Sequence, residues 1–535
     1  VFNQSIYKLQ VPVTLGNQED YEEEEGVIGL EPKVVVKTVL SCHYKGRLGK
    51  TPRHFVGPPS VVGKYECYAS TSHNLFVGIV NRVLLIKIPD GMNPLDGTII
   101  NGFLLAGSQK VSGWGSKSMT SIGWKLACKL KHVKPISRSD VVESRPRDKY
   151  QAYFDSNVDV DFREGLTRHD GTLQNFVKWE LSSRSKEPRI ISPRSRNYNL
   201  FLGKYIVPLE LPCYGAIDKL WGSKTVYKHC SLKEMANGFV EKFGEFSCPV
   251  AVGLDASRFD QHVSKQALLF EHSVYNSVYH SDELWSLLKR QLVNNCFARG
   301  DLYDIRYRAY GRMSGDMNTS LGNVIIMTSM LLDWKIRNKL EFTLVNNGDD
   351  SVAVMESKDL ERFLSCFDEF WNLYGFNMVA EEPVYSIEHV EFCQMKPVKL
   401  DSGWMMVRKP TSVFKDMIAI STKGVVKYDN YLCDVGLCGL SLYSDCPILG
   451  QFYFALSKLG KPSGDLESGL SYWAKRTNEV DYWKEVVIPR DYSLIALQSY
   501  CKSFNLDPHV VSSFEELVAS DLHAAVDMLS QLCND

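Results

Sequence analysis

Two adjacent carboxylates, Asp349 and Asp350, stand in the stretch LVNNGDDSVAVM, residues 344–355. Apolar, β-branched runs flank Asn346-Asn347-Gly348-Asp349-Asp350, so the segment predicts a hairpin with acidic residues at its turn. Like charges this close repel, and keeping both ionised raises the pKa of at least one unless a cation shares the site. Well upstream, CPVAVGLDASRFDQHVS sets Asp255 at the end of an apolar strand and Asp260 five positions on. If that strand lies beside the hairpin, Asp255 faces Asp349 and two divalent cations fit between them. Nucleotidyl transfer needs this arrangement, with metals roughly 3.5–4 Å apart, one activating a 3′-hydroxyl and the other clamping a triphosphate. Hard oxygen ligands point to two Mg2+ ions, with Mn2+ able to substitute.

Two further segments supply company for the carboxylates. In RMSGDMNTSLGN, Ser314-Gly315 makes a flexible loop, and the helix after it presents Thr319 and Asn323, four apart, on one face. A hydroxyl and an amide beside a metal site suit the reading of a ribose 2′-hydroxyl, with Asp260 as hydrogen-bond partner. The alternative, in which Asn318 or Thr319 caps the helix and Asn323 is merely solvated, stays open here. In VKWELSSRSKEPRIISPRSRNYN, residues 177–199, Lys178, Arg184, Lys186, Arg189, Arg194 and Arg196 fall in a strand-and-turn context. Arginine forks bind triphosphate oxygens, although such a run by itself could be a surface loop.

The elements that must hold these residues read as an α+β layer, with helices packed on one face of a small antiparallel sheet. Residues 250–400 alternate a strand at VAVGLDA, a helix from about Lys265, a helix from about Thr319 to Leu340, the acidic hairpin, and a helix over LERFLSCFDEFWNLYG. The first hundred residues predict an irregular extension with strands, and the last 135 a mostly helical unit. A chain of 535 residues with 44% hydrophobic and 23% charged residues is globular and too long for one core.

Charge is unevenly spread. Residues 110–233 hold 23 Lys and Arg against 12 Asp and Glu, a net of +11 that leaves −13 for the rest of a chain of net −2. A block this asymmetric is expected where a polyanion is steered, and a solvated basic face is the plainer alternative. The acidic run Glu22 to Glu25 reads as a solvated loop. Fourteen cysteines include no C-x-x-C pair, so free thiols in a reducing compartment are expected rather than zinc or a disulfide framework. No signal peptide is expected at the start, and the chain has no apolar run of the roughly 18 residues that span a membrane. The chain begins with Val1, which suggests a trimmed product with a segment upstream.

In order, the basic segment, D-x4-D, SG-x3-T-x3-N and Gly-Asp-Asp resemble motifs F, A, B and C of viral RNA-dependent RNA polymerases, nearest in wording to the tombusvirus family and related positive-strand RNA viruses. The matching stretches are PRIISPRSRNYNLFLGKYI, GLDASRFDQHVS, RMSGDMNTSLGN, NNGDDSV and, resembling motif E, VEFCQMKPV at 390–398. SHNLFVGIVNRVL, 72–84, weakly resembles the same family's upstream region.

The resemblance implies a right hand of fingers, palm and thumb: an N-terminal extension over 1–106, basic fingers over 107–248, a palm over 249–400 with a fingers insertion near 265–305, and a thumb over 401–535. It implies Asp255 and Asp349 as metal ligands with Asp350 in support, and Asp260, Thr319 and Asn323 as ribose selectors. Arg189, with Lys186 and Arg194, would hold the NTP phosphates, and Ser314-Gly315 would move near template and substrate. Phe392-Cys393-Gln394 would form the turn under the primer strand, and Lys178 and Gly315 would touch RNA. The implied partners are template and nascent RNA, NTPs, other viral replication proteins, and host membranes through a segment absent from this chain. The implied setting is cytoplasmic, at membrane-associated replication complexes, with initiation without a primer.

One departure stands out. No lysine lies between Lys358 and Lys396, where many such polymerases carry a proton donor, and Arg362 and His389 are the only basic residues there. The general acid is therefore unassigned. Two other classes stay open on sequence: a reverse transcriptase or nucleotide cyclase, separable by comparing UTP with dTTP, and a non-catalytic RNA-binding scaffold, which would bind RNA without incorporation.

Overall fold

The computed structural model describes residues 40–44, 54–56, 65–100, 102–144, 165–183, 185–421, 427–463, 474 and 487–532. The acidic run at 22–25 and Arg184 lie outside the described residues. A four-stranded antiparallel sheet stands at the centre, built from β1 (Pro249–Ala256), β2 (Thr343–Asn347), β3 (Asp350–Glu356) and β4 (Met378–Ala380). Its order is β2-β3-β1-β4.

The strands read as apolar runs because both faces of the sheet are covered. Alternate side chains sort into two cores, as the two-residue strand period requires. Val250, Val252 and Leu254 of β1, Leu344 of β2, and Ala353 and Met355 of β3 join one core. Ala251, Val345, Val352 and Val354 join the other. The first core contains α1 (Lys265–Tyr279) and α2 (Thr319–Asn338), which match the helices predicted there. The second contains helix Leu232–Gly244, hairpin strands Met395–Leu400 and Gly403–Arg408, and the C-terminal helices. The expectation of helices on one face only is therefore corrected.

A second correction concerns LERFLSCFDEFWNLYG, which forms two short helices, Leu360–Leu364 and Asp368–Tyr374. At the break, the Ser365 hydroxyl donates to the Arg362 carbonyl (2.9 Å), and Cys366 Sγ does the same at 3.5 Å. Side chains thus take up a carbonyl released by the helix. The break lets Phe363, Phe367 and Phe370 gather around the fully buried Trp334 of α2, with ring centroids 5.0–5.4 Å away.

Sequence-adjacent segments do not keep to separate sheets. Leu40–Tyr44 pairs with Tyr303–Ala309, which pairs with Asn294–Arg299, and that strand runs parallel to Leu173–Val177. Tyr65–Cys67 pairs with Leu181–Ser183, and His54–Val56 with Ala419–Ser421. The N-terminal stretch also contains a helix, Ser72–Ile79, that continues as a π-helical turn, Val80–Leu84.

Candidate active site

The register of the central sheet sets Asp255 directly opposite Asp350. Asp349 occupies the turn between β2 and β3, beside Gly348, whose φ of +93° is costly for any residue with a side chain. Asn346 braces this turn. Its side-chain NH2 donates to the Gly348 carbonyl and to Ser351 Oγ, both at 2.8 Å, and its Oδ1 accepts from the Gly348 amide at 3.1 Å.

Asp255, Asp349 and Asp350 are all residues with exposed surface, although the carboxyl groups of Asp255 and Asp350 are themselves partly buried. Partial burial, then the charge of Asp349, pushes Asp255 above the ordinary carboxylate range. Burial and Asp349 push Asp350 up to about 6, opposed by a hydrogen bond with Cys393 and by the ammonium of Lys228. Such crowding is what a divalent cation would relieve. Among the described residues, no three His, Cys, Asp or Glu side chains form a ready-made metal cage. An exposed pair of hard oxygen donors fits a cation such as Mg2+, which usually keeps waters and takes substrate phosphates as further ligands.

The carboxylates open on a cleft of about 560 Å³. It unites Asp255, Asp260 and Asp349 with Lys186, Arg189, Ser314 and Gln394. Lys186 and Arg189 are exposed, and Arg189 lies 3.3 Å from Glu180, which also pairs with Lys178 at 2.6 Å. This basic loop is pinned at two places: the Lys178 amide donates to the Arg189 carbonyl (2.8 Å) and the Tyr68 hydroxyl to the Lys186 carbonyl (2.7 Å).

Beside the cleft, Asn323 donates to Asp260 Oδ1 at 2.8 Å and is itself buried, so it is not merely solvated. Asn318 starts α2 without a side-chain cap, because its amide is committed to Glu271 and Gln291. Thr319 donates its hydroxyl to the Met313 carbonyl (3.1 Å) and does not line the cleft. Ser314 donates to the Ile190 carbonyl at 3.1 Å. Gly315 bridges to Pro193, and a Cβ there would stand 2.7 Å from Pro193 backbone atoms, so only glycine fits.

Arg194 requires a correction. Its side chain is wholly buried, pairs with Asp316 at 2.5 Å, donates to the Gly171 and Arg290 carbonyls at 2.8 and 3.3 Å, and bonds Asn294. Every donor direction is spent inside the protein, so none can reach a triphosphate. Phe392 is corrected likewise: its ring packs on Phe239 in the core, where no RNA strand can touch it. The Phe392-Cys393-Gln394-Met395 turn does form, with Phe392 and Met395 exchanging backbone bonds and both central residues at positive φ. Cys393 accepts from Asn347 Nδ2 at 3.0 Å, and Gln394 reaches the cleft. His389 ends a short 3-10 turn and does not line the cleft.

Sequence reasoning missed several cations. Arg82, from the π-helical turn, Arg258, at a left-handed φ of +50°, and Lys415 all line the cleft. Arg82 and Arg258 share Glu187 at 3.5 and 2.8 Å. Lys228 reaches the acidic turn because residues 225–227 lie along the outer edge of β2: the Tyr227 amide donates to the Asn346 carbonyl and the Asn346 amide to the Thr225 carbonyl, each at 2.8 Å. Its ammonium stands 3.3 Å from where a Cβ of Gly348 would be. The R-F in D-x2-R-F-D was the only local hint of Arg258; nothing near Lys228 in sequence points to the acidic turn.

A sequence model of the family described as viral RNA dependent RNA polymerase matches residues 52–518. The chain belongs to this family. It is 34% identical over 472 residues to the RNA-directed RNA polymerase of Maize chlorotic mottle virus, covering 85% of this chain and 47% of the relative. To that of Panicum mosaic virus it is 40% identical over 451 residues, 81% of this chain and 45% of the relative. To that of Carnation mottle virus it is 40% identical over 334 residues, 59% and 42% respectively. The chain thus spans about half the length of these viral RNA polymerases. No helix among the described residues is long and apolar enough to cross a membrane. The twelve cysteines from Cys67 to Cys501 are free thiols.

Proposed function

We propose that the chain is an RNA-directed RNA polymerase that copies viral positive-strand RNA from NTPs and releases pyrophosphate. The observation that carries this reading is a single cleft in which Asp255, Asp260 and Asp349 face Lys186 and Arg189. Carboxylates for divalent cations and cations for a triphosphate are the two halves of a nucleotidyl-transfer site.

In this reading Asp255 and Asp349 hold two Mg2+ ions, for which Mn2+ can substitute, and Asp350 adds negative charge behind them. Held there, such ions would supply Lewis acidity toward the 3′-hydroxyl and the leaving pyrophosphate. Lys186 and Arg189 bind and orient the triphosphate. Asp260 and Asn323 read the ribose 2′-hydroxyl. Thr319, with its hydroxyl on the Met313 carbonyl, supports the loop before α2 rather than the substrate. Gln394 and the Cys393 turn lie on the side of Asp350, where a nascent strand would end.

The layout we propose is a right hand with fingers at 107–248, a palm at 249–400 and a thumb at 401–535. The pairing of His54–Val56 with Ala419–Ser421 ties the first and last parts together. Initiation without a primer is proposed on the family resemblance alone. Membrane-associated cytoplasmic complexes, with other replication proteins, are proposed as the setting on the family resemblance alone.

The test is incorporation of labelled UTP on poly(A), with and without oligo(U), in Mg2+ and in Mn2+. Incorporation lost in Asp349→Asn supports the reading. RNA binding without incorporation under every condition overturns it in favour of a scaffold.

A further inference from the structure

Behind the cleft lies a buried polar cluster that the reaction as described does not use. Arg312 and Glu271 form an ion pair, and both side chains are wholly inaccessible to solvent. A buried ion pair gives little net stability compared with a well-packed apolar pair of similar volume, because both charges must leave water. Its geometry suggests another use. Arg312 Nε donates to Asn323 Oδ1 at 3.1 Å, on the side of that amide opposite Asp260. Asn323 Nδ2 donates in turn to Asp260 Oδ1 at 2.8 Å.

An asparagine amide can turn by 180° and exchange its donor and acceptor ends. Here it cannot. A guanidinium has no acceptor, so only the orientation that turns Oδ1 toward Arg312 and the NH2 toward Asp260 satisfies the site. The flipped amide would aim its NH2 at Arg312 and its oxygen at Asp260.

Arg312 is in turn held from α1. Glu271 accepts from the Tyr275 hydroxyl at 2.9 Å and from Asn318 Nδ2 at 2.6 Å, and Asn318 Oδ1 accepts from Gln291 at 2.8 Å. Gly322, the residue before Asn323, has no room for a side chain, because a Cβ there would run into Arg312 and Glu271. Helix α2 therefore rests on the ion pair at the turn that carries Asn323.

We propose that the Arg312–Glu271 pair is a positioning device that fixes the Asn323 amide, and through it Asp260, so that the site distinguishes ribose from deoxyribose. The proposal rests on the reading of Asp260 and Asn323 as the ribose-sensing pair. Lysine cannot replace the arginine in this role. It preserves the charge opposite Glu271 but lacks the fixed planar fork that presents one N–H to Glu271 and another to Asn323.

The experiment measures kcat/KM for UTP and for 2′-deoxy-UTP on oligo(U)-primed poly(A) with the full chain, for wild type, Arg312→Lys and Asn323→Ala. Melting curves for each variant report folding. Expected is a loss of roughly ten-fold or more for UTP in Arg312→Lys, the worth of one hydrogen bond to a charged group, with 2′-deoxy-UTP nearly unchanged. The same collapse of selectivity is expected in Asn323→Ala, with no further loss when the two changes are combined.

Equal losses for both nucleotides in a folded Arg312→Lys would overturn the proposal, since a purely structural residue does not sense the 2′-hydroxyl. If Asn323→Ala also leaves selectivity intact, the ribose reading itself falls. If Asn323→Ala collapses selectivity and Arg312→Lys does not, only the positioning role falls. Should Arg312→Lys not fold, the neutral pair Arg312→Gln with Glu271→Gln leaves no unpaired buried charge and carries the same expectation. If neither variant folds, the pair is structural and the proposal fails.

Discussion

Asp255 and Asp350 are direct cross-strand partners in the central sheet, and Asp349 sits one residue away at the turn. Three carboxylates therefore meet at one end of the sheet, where each residue is exposed to solvent. Asp255→Asn and Asp349→Asn should each lower nucleotide incorporation by about a thousand-fold or more, because a metal worth several kcal/mol in the transition state loses its anchor. RNA retention on a filter, measured in parallel, should barely change. Near-normal synthesis by either variant would remove that residue from the metal site.

The raised pKa of Asp350, about 6, carries a prediction for the metal-free protein. A carboxyl whose folded pKa exceeds its unfolded value favours the fold while protonated. That contribution is full below about 3.9 and is lost as pH rises through about 6. Asp350→Asn should thus raise the melting temperature at pH 7.5 without metal while impairing synthesis. Cation binding needs the ionised form, so calorimetric Mn2+ affinity should fall as pH drops below 6. A melting temperature that falls in Asp350→Asn would contradict this.

Lys228 lowers the Asp350 pKa by its charge. Lys228→Ala should therefore shift the acid limb of the pH–rate profile toward higher pH, with less effect at pH 8.5, where Asp350 is ionised in either protein. High salt should shrink the difference at this partly exposed site. An unmoved acid limb would show that the ammonium does not act on this carboxylate.

Two arginines five residues apart should behave oppositely. Arg194→Ala leaves Asp316 as an unpaired buried charge and should cost about 3–5 kcal/mol of stability, read by urea unfolding. Arg189→Ala, whose side chain is 56% exposed, should leave stability nearly unchanged and raise KM for NTPs. If Arg194→Ala folds as stably as wild type and loses only NTP affinity, its assignment as a buried support is wrong.

Gly315→Ala tests the close approach of the loop to Pro193. Its Cβ meets backbone, not a movable side chain, so the loop that carries Ser314 must shift. Synthesis should fall several-fold with no new dependence on pH, and a pre-steady-state assay would assign the loss to NTP positioning or turnover.

How far the chain could be read before folding depends on how local each cause is. The acidic hairpin, the strand ending at Asp255, α1 and α2 follow from periodicity and turn chemistry within a dozen residues, so the order of motifs announced both the chemistry and the family. The carboxylate set was legible because charge repulsion needs no partner beyond the turn itself. Arg194 and Arg189 were not separable, because both are arginines in one basic run, and burial is decided by Asp316, Asn294 and Gly171 from distant segments. Phe392 went inward for the same reason: Phe239 arrives from a helix far upstream. Lys228 came to the acidic turn and Arg82 to the cleft because a parallel strand edge and a π-helical turn delivered them, and neither leaves a periodic mark in the sequence. Types and spacing of residues determined which reaction the chain could support. Which cations face it, and which are consumed as internal props, was decided only by long-range packing, since desolvation and hydrogen-bond saturation depend on the whole tertiary surroundings.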